Sequence, residues 1–364
     1  MKSAKNYKRI VVKVGSSVLT EGKNSLVESN LERIVKHVAD LSSQGKEVVL
    51  VTSGAIACGL SSMGLEKRST KLSELQAAAA IGQNILMQNY TRVFSKYNLK
   101  CAQILLTRDD FHERKRYINA KNTILELFDL KVIPIINEND TVSVDEIKFG
   151  DNDMLSALVA MLIEADGLEI LTDAEGLCQE YDKKKKQYTN LLKNVDIITP
   201  EIIRMACGTN STTAIGGLRS KIDPIKIATN VGIDVVLTSG LSKEGLKIDF
   251  VDLDKCAGTH FSASSKLRAS KKHWIAFGAR VKGKIIIDDG AVKAILNKSA
   301  SLLSPGVVGV MREFSEGDVV DISDANNNIL ARGITNYSSQ QLDKIKGKKS
   351  EKEVVHRNNL VLLK

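Results

Sequence analysis

The feature that most constrains the fold is an alternation running through the first 240 residues. Short runs that are apolar on both faces alternate with longer segments whose apolar residues recur every three or four positions. The short runs are Ile10–Val14, Glu47–Thr52, Lys100–Leu106, Lys131–Ile136, Leu168–Thr172 and Asp234–Thr238. Rich in Val, Ile and Leu and without a polar face, they are predicted to be buried parallel strands. Between them lie amphipathic helices. One carries Leu31, Ile34, Val38 and Leu41, with Ser29 and Glu32 spaced as a capping box and Gly45 as its close. A longer one runs from Leu72 to Tyr97. This order predicts an α/β domain, a mostly parallel sheet sandwiched by helices, with ligands beyond the carboxyl ends of the strands.

The alternation stops near Gly258, which bounds a first domain at residues 1–258. Residues 259–272 are rich in Ser, Lys and Ala and read as a linker. Residues 273–364 read as a small, mainly-β module with strands at Trp274–Phe277, Lys284–Ile287, Val307–Val310, Asp318–Ser323, Leu330–Thr335 and Leu360–Leu363. Asp324–Asn328 is a hairpin turn signal within it. Charge divides the same way. Phe261–Lys364 holds 18 Lys/Arg against 10 Asp/Glu, whereas the first 260 residues hold 34 against 33. A neutral body thus precedes a basic unit, which makes a polyanion contact worth testing.

Composition excludes several classes. The longest apolar run, Ala157–Ile163, is far short of the ~20 residues that a membrane span needs. Lys13 interrupts the apolar run after the basic Met1–Arg9, against a secretory leader, and a cytoplasmic protein is expected. The five cysteines are scattered without a CxxC pair, and the five histidines form no HxxxH pair, so neither a disulfide framework nor a His-ligated metal is expected.

Candidate chemistry clusters where predicted strands end. Lys13 precedes Gly15-Ser16-Ser17, either as an exposed lysine on an edge strand or as a lysine above a glycine loop whose N–H groups approach phosphate. Thr52-Ser53-Gly54-Ala55 opens a helix, where Ser53 is either a simple cap or part of a carboxylate site. Asn137-Glu138-Asn139-Asp140 and Gly150-Asp151-Asn152-Asp153 are dense in acids and amides, a density that calls for cations nearby. Thr172-Asp173 ends another strand, and Gly216-Gly217-Leu218-Arg219-Ser220-Lys221 leads into a helix as a phosphate cradle. Two lysines, several backbone nests and no His or Cys base point to phosphoryl transfer, in which catalysis is mainly positioning and charge neutralisation. A carboxylate acceptor, with a pKa of about 4.3, needs no base. In this reading Lys13 and Lys221 neutralise charge and Asp151 holds both ammonium groups.

The motifs Lys13-Val14-Gly15-Ser16-Ser17, Val51-Thr52-Ser53-Gly54-Ala55, Leu106-Thr107-Arg108-Asp109, Pro134 through Asp140, Lys148 through Ala157 and Leu171 through Leu177 together resemble the glutamate 5-kinases of the amino acid kinase family. Gly278-Ala279-Arg280-Val281 through Ala331-Arg332-Gly333-Ile334 resembles a PUA domain. The resemblance implies ATP-dependent phosphorylation of the L-glutamate side-chain carboxylate, as the first step of proline biosynthesis. It assigns Lys13 and Lys221 to the transferring phosphoryl group and Asp151 to organising them. Ser53, Asp140 and Asn152 would bind glutamate, while Thr172, Asp173 and Ile215, Gly216, Gly217, Leu218, Arg219, Ser220 and Lys221 would contact nucleotide. It also implies Mg²⁺ carried with ATP, proline as feedback inhibitor, and a homodimer or homotetramer. Ile215 stands where many relatives have threonine, and altered nucleotide affinity is expected from the lost hydroxyl.

Two rivals remain at this level. A sibling kinase acting on aspartate, acetylglutamate, carbamate or a nucleoside monophosphate would share the lysines but differ around Asn137–Asp140. RNA binding through the basic module fits its charge. Against it, Phe261, Trp274, Phe277, Phe314 and Tyr337 leave few rings for base stacking.

Overall fold

The computed structural model describes residues 7–23, 25–65, 70–142, 152–182, 187–207, 218–248, 253, 256–264, 270–298 and 300–363. Two compact units divide it: residues 1–110 with 118–266, and residues 111–117 with 267–364.

The first unit begins with β1 (Arg9–Val14), a short helix α1 (Ser16–Thr20), α2 (Glu28–Ser43), β2 (Glu47–Val51), α3 (Ala55–Ser62), α4 (Leu72–Ser95) and β3 (Lys100–Leu106). Helices α5 (Arg108–His112) and α6 (Arg114–Asp129) follow, of which residues 111–117 belong to the second unit, then β4 (Val132–Glu138), α7 (Asn152–Leu162) and β5 (Gly167–Thr172). A hairpin of β6 (Cys178–Asp182) and β7 (Gln187–Leu191) stands apart, followed by β8 (Asn194–Val195), α8 (Pro200–Cys207), α9 (Arg219–Asn230), β9 (Asp234–Ser239) and β10 (Thr259–Phe261).

Eight strands form one sheet in the order β3-β4-β2-β1-β5-β9-β10-β8, and every pair is parallel except β9 with β10. All six strands predicted in this region are present, five of them buried as expected, while β3 is an edge strand and is mostly exposed or half-buried. Ile10, Val12, Val14, Leu50, Ile135, Leu171 and Val236 pack with Leu31, Ile34, Val38, Leu86, Tyr90 and Phe94 of the covering helices in one core. β1 is central. The chain leaves it first toward β2 and returns later on the other side as β5, so the sheet has its switch point at the carboxyl end of β1.

Three local expectations are corrected. Ser29 and Glu32 form no capping box: Val27 is the N-cap residue of α2 and provides no side-chain cap, and Glu32 pairs with Lys96 at 2.5 Å. The stretch read as a linker opens with β10, which joins the large sheet; its Thr-His-Phe sequence is too short to show a period. Trp274–Phe277 is not a strand but lies in a π-helical turn, Trp274–Gly278, which follows the short helix α10 (Ser270–His273).

The second unit contains β11 (Val281–Ile287), α11 (Asp289–Lys298), β12 (Val307–Met311), β13 (Val319–Ser323), β14 (Ile329–Ile334), α12 (Ser339–Ile345) and β15 (Leu360–Leu362). Its sheet has the order β12-β11-β13-β14-β15 and encloses Ile285, Ile287, Val320, Ile322, Ala331 and Val355. The predicted turn is formed: Asp324 Oδ1 accepts from the backbone N–H groups of Asn326 and Asn328 at 2.9 and 2.8 Å. Trp274 Nε1 donates to the Phe111 carbonyl at 2.8 Å, the kind of partner a buried indole requires. None of the described helices is long and apolar enough to cross a membrane.

Candidate functional site

The carboxyl edge of the large sheet carries the cluster. Lys13 is the penultimate residue of β1, paired in register with Val51 of β2 and Ile170 of β5, so it lies in the sheet's centre rather than at an edge. Only 4% of Lys13 is exposed, and a lone ammonium there would carry a desolvation cost of several kcal/mol. Its partner is Asp153, the second residue of α7. The other carboxylate oxygen of Asp153 accepts from Lys221 Nζ at 2.7 Å. Lys221 is the third residue of α9, so three separate elements converge on one buried carboxylate. Burial raises the Asp153 pKa, but attraction to Lys13 and Lys221 prevails and holds it below the usual aspartate range.

Among the described residues it is Asp153 that meets both lysines; Asp151, to which the bridging role was assigned, lies outside the described residues.

The loop after β1 is set by Gly15, whose N–H bonds the Leu171 carbonyl at 3.2 Å, drawing the ends of β1 and β5 together. A Cβ on Gly15 would lie 3.5 Å from Lys13 Nζ, so the glycine backbone borders the ammonium directly. Thr172 ends β5, buried, with its hydroxyl donating to Asp173 Oδ1 at 2.9 Å. Leu218, Arg219 and Ser220 lead into Lys221 at the start of α9, and Arg219 approaches Asp223 at 3.8 Å. Ile215, Gly216 and Gly217 lie outside the described residues.

On the other side of β1, Thr52-Ser53-Gly54 turns β2 into α3. Gly54 has φ +105°, a conformation that side-chain-bearing residues rarely adopt. Gly54, not Ser53, is the N-cap residue of α3, which disposes of Ser53 as a simple cap. Instead Asn152 Nδ2 donates to Ser53 Oγ at 2.8 Å, to the Thr52 carbonyl at 2.9 Å and to Asn137 Oδ1 at 3.0 Å. Asn137 Nδ2 continues the chain to Gln83 Oε1 of α4 at 2.8 Å. Thr52 Oγ1 shares a 2.7 Å hydrogen bond with the fully buried Tyr90 hydroxyl, whose pKa burial drives up. Asp140 lies half-buried in the turn after β4.

Ser53 and Asn152 are thus in direct contact, and Lys13 and Lys221 meet on one carboxylate one residue further along the same helix. Asp153 and Asn137 lie in segments that the sequence singles out but that gave them no individual role, and Gln83 was not singled out at all. For Gln83 the only signal is a polar residue next to Gly82 on an otherwise apolar helical face.

The sequence matches the amino acid kinase family over residues 8–239 and the PUA domain over residues 283–356. The chain belongs to the amino acid kinase family. Its similarity to curated proteins extends over nearly the whole chain. It is 42% identical to a glutamate 5-kinase of Thermoanaerobacter sp. (strain X514), covering 98% of both proteins. To a glutamate 5-kinase of Paraburkholderia phymatum it is 44% identical, again with 98% of each covered. A solved carbamate kinase from Giardia lamblia bound to AMP-PNP superimposes with a TM-score of 0.51 at 17% identity, over 72% of this chain and all of that one, a likeness of fold. This amino acid kinase is accordingly a phosphotransferase with a C-terminal PUA domain.

Proposed function

We propose that the chain transfers the γ-phosphoryl group of ATP to the side-chain carboxylate of L-glutamate, giving L-glutamyl 5-phosphate as the first step of proline biosynthesis. The observation that carries this reading is the meeting of Lys13 and Lys221 on Asp153, beside the Ser53–Asn152 pair. Two ammonium groups converge on one carboxylate at the strand ends. Their positive charge lowers the repulsion between an anionic acceptor and the terminal phosphate as they approach, which is the main barrier to this chemistry. A carboxylate oxygen attacks the γ-phosphorus as the bond to the β,γ-bridging oxygen breaks, and ADP departs with that electron pair. No proton moves, in keeping with a centre built of lysines and an aspartate held ionised.

Glutamate is read as bound by Ser53, Asn152 and Asp140, with the Gly54–Ala55 turn presenting N–H groups to an anion. Thr172, Asp173 and residues 215–221 are read as the nucleotide side. Both described oxygens of Asp153 are committed to lysines, and no group of three or more His, Cys, Asp or Glu that could hold a metal occurs among the described residues. A protein-built Mg²⁺ cage does not fit these residues, so Mg²⁺ is read as arriving on the phosphate oxygens of ATP. The same reading makes proline a feedback inhibitor, the assembly a homodimer or homotetramer, and the compartment the cytoplasm.

The test is ADP release with Mg-ATP and glutamate, with hydroxylamine trapping of acyl phosphate across glutamate, aspartate, acetylglutamate and carbamate, repeated with proline. Glutamate-dependent turnover is expected. Turnover of aspartate in preference to glutamate would overturn the assignment.

A further inference from the structure

Gln83 lies on α4, 54 positions before Asn137 and far in sequence from every motif discussed above. It is brought to the site by a close crossing of helices. A Cβ on its neighbour Gly82 would lie 1.8 Å from the Ala55 carbonyl oxygen, so α4 presses directly on the first residue of α3, next to Ser53 and Gly54. Gly59 makes the reciprocal approach, 1.8 Å from the Ala78 carbonyl oxygen. The position of Gln83 relative to the Ser53 turn is therefore set by backbone contact rather than by flexible side chains.

The amides at positions 83, 137 and 152 form a relay whose polarity is not free. The Thr52 carbonyl can only accept, so Asn152 must direct Nδ2 toward it at 2.9 Å. The Glu138 backbone N–H can only donate, so Asn137 must direct Oδ1 toward it at 2.9 Å. With Oδ1 so placed, Asn137 also receives Asn152 Nδ2 at 3.0 Å, and its own Nδ2 is turned toward position 83. Only a side chain that presents an acceptor there completes the relay, and Gln83 Oε1 does so at 2.8 Å. Gln83, Asn137 and Asn152 are all buried, so the loss of an acceptor at 83 is not readily made good by bulk water.

We infer that Gln83 is a positioning residue for the amino-acid substrate: by fixing the Asn137 amide it holds Asn152 and Ser53 in the orientation that receives the acceptor. This rests on the glutamate reading of Ser53 and Asn152 given above. The relay runs through Asn152 toward the Ser53 turn and includes neither lysine. A change at 83 is therefore expected to act on the acceptor side and leave the nucleotide side alone.

The test uses the full chain with Mg-ATP and glutamate. Gln83→Met keeps length and volume but removes the acceptor. It is expected to raise the KM for glutamate about tenfold, leaving the KM for ATP unchanged and kcat within about threefold. Gln83→Glu keeps an oxygen toward Asn137 and is expected to hold the glutamate KM near the wild-type value. A methionine variant that folds with an unchanged glutamate KM, or whose KM for ATP rises in parallel, overturns the inference. Should that variant not fold, the glutamate variant decides alone: a KM near wild type supports the relay, and a tenfold rise overturns it. A wild-type chain without glutamate-dependent turnover would remove both the proposed function and this inference. Normal wild-type turnover with a normal KM in Gln83→Met would remove the inference only.

Discussion

Two of the buried carboxylates at the large sheet, Glu169 and Asp153, are answered differently. Glu169 sits in the middle of β5, fully buried, and meets a single imidazole, His37 Nε2 of α2, at 2.6 Å. Asp153 sits at the strand ends and meets two ammonium groups. Burial would depress the His37 pKa, but the charge and hydrogen bond of Glu169 outweigh it and raise the value. The inner pair is balanced, one partner for one charge, and serves to tie α2 to the sheet. The outer cluster gathers two ammonium groups on one carboxylate at the edge where ligands of such sheets bind. The number of cations gathered on each carboxylate thus distinguishes a packing element from the candidate site, although each carboxylate is buried and each is paired.

The sharpest way to break this contrast is Lys221→Ala, which removes one of the two ammonium groups. We expect kcat to fall about 10³-fold with little change in the KM for glutamate, read by steady-state kinetics. A KM defect with kcat intact would make the lysine a ground-state binder and erase the distinction. His37→Leu should do the reverse. It leaves Glu169 buried without its imidazole and should cost about 3–5 kcal/mol of stability in urea unfolding, with kcat of the folded enzyme nearly unchanged.

Next in size is the comparison of Asp153→Asn with Asp151→Asn. The first is expected to lower kcat about 10²-fold, because the carboxylate that joins the two lysines is then lost, and the second by less than about tenfold. Equal losses would mean that the bridge is shared between the two aspartates. The smallest effect is on pH dependence. The raised His37 pKa contributes stability that is fully present below about pH 6.5 and is lost as pH rises through the folded value. The lowered Asp153 pKa contributes stability that is present above about pH 4 and is lost as pH falls through its folded value. Thermal midpoints against pH should therefore decline on the alkaline side in the wild type. In Glu169→Gln that decline should be absent.

Much of the site was legible because its chemistry is unusual at its location. A lysine inside the apolar run Ile10–Val14 has no comfortable place except beside a carboxylate at a strand end, and the structure puts it there. Ser53 and Asn152 were singled out from separate motifs and are found hydrogen-bonded to one another. Gln83 was illegible: glutamine on a long helix is usually a solvated residue, and only the contact with Asn137 distinguishes it. The π-helical turn at Trp274–Gly278 was misread because a short run of Trp, Ile, Ala and Phe suits a strand and a buried turn equally well.

By itself, then, the sequence determined the alternation of strands and helices, the large parallel sheet and the residues available at its carboxyl edge, because a both-face-apolar run has few other places to be buried. The tertiary structure alone decided that Asp153 meets both lysines, which residue caps α3, and that an amide on α4 reaches the Ser53 turn. Those outcomes depend on helix phase and on how closely two backbones cross. Both are set by contacts between segments far apart in the chain, and residue order carries no local trace of them.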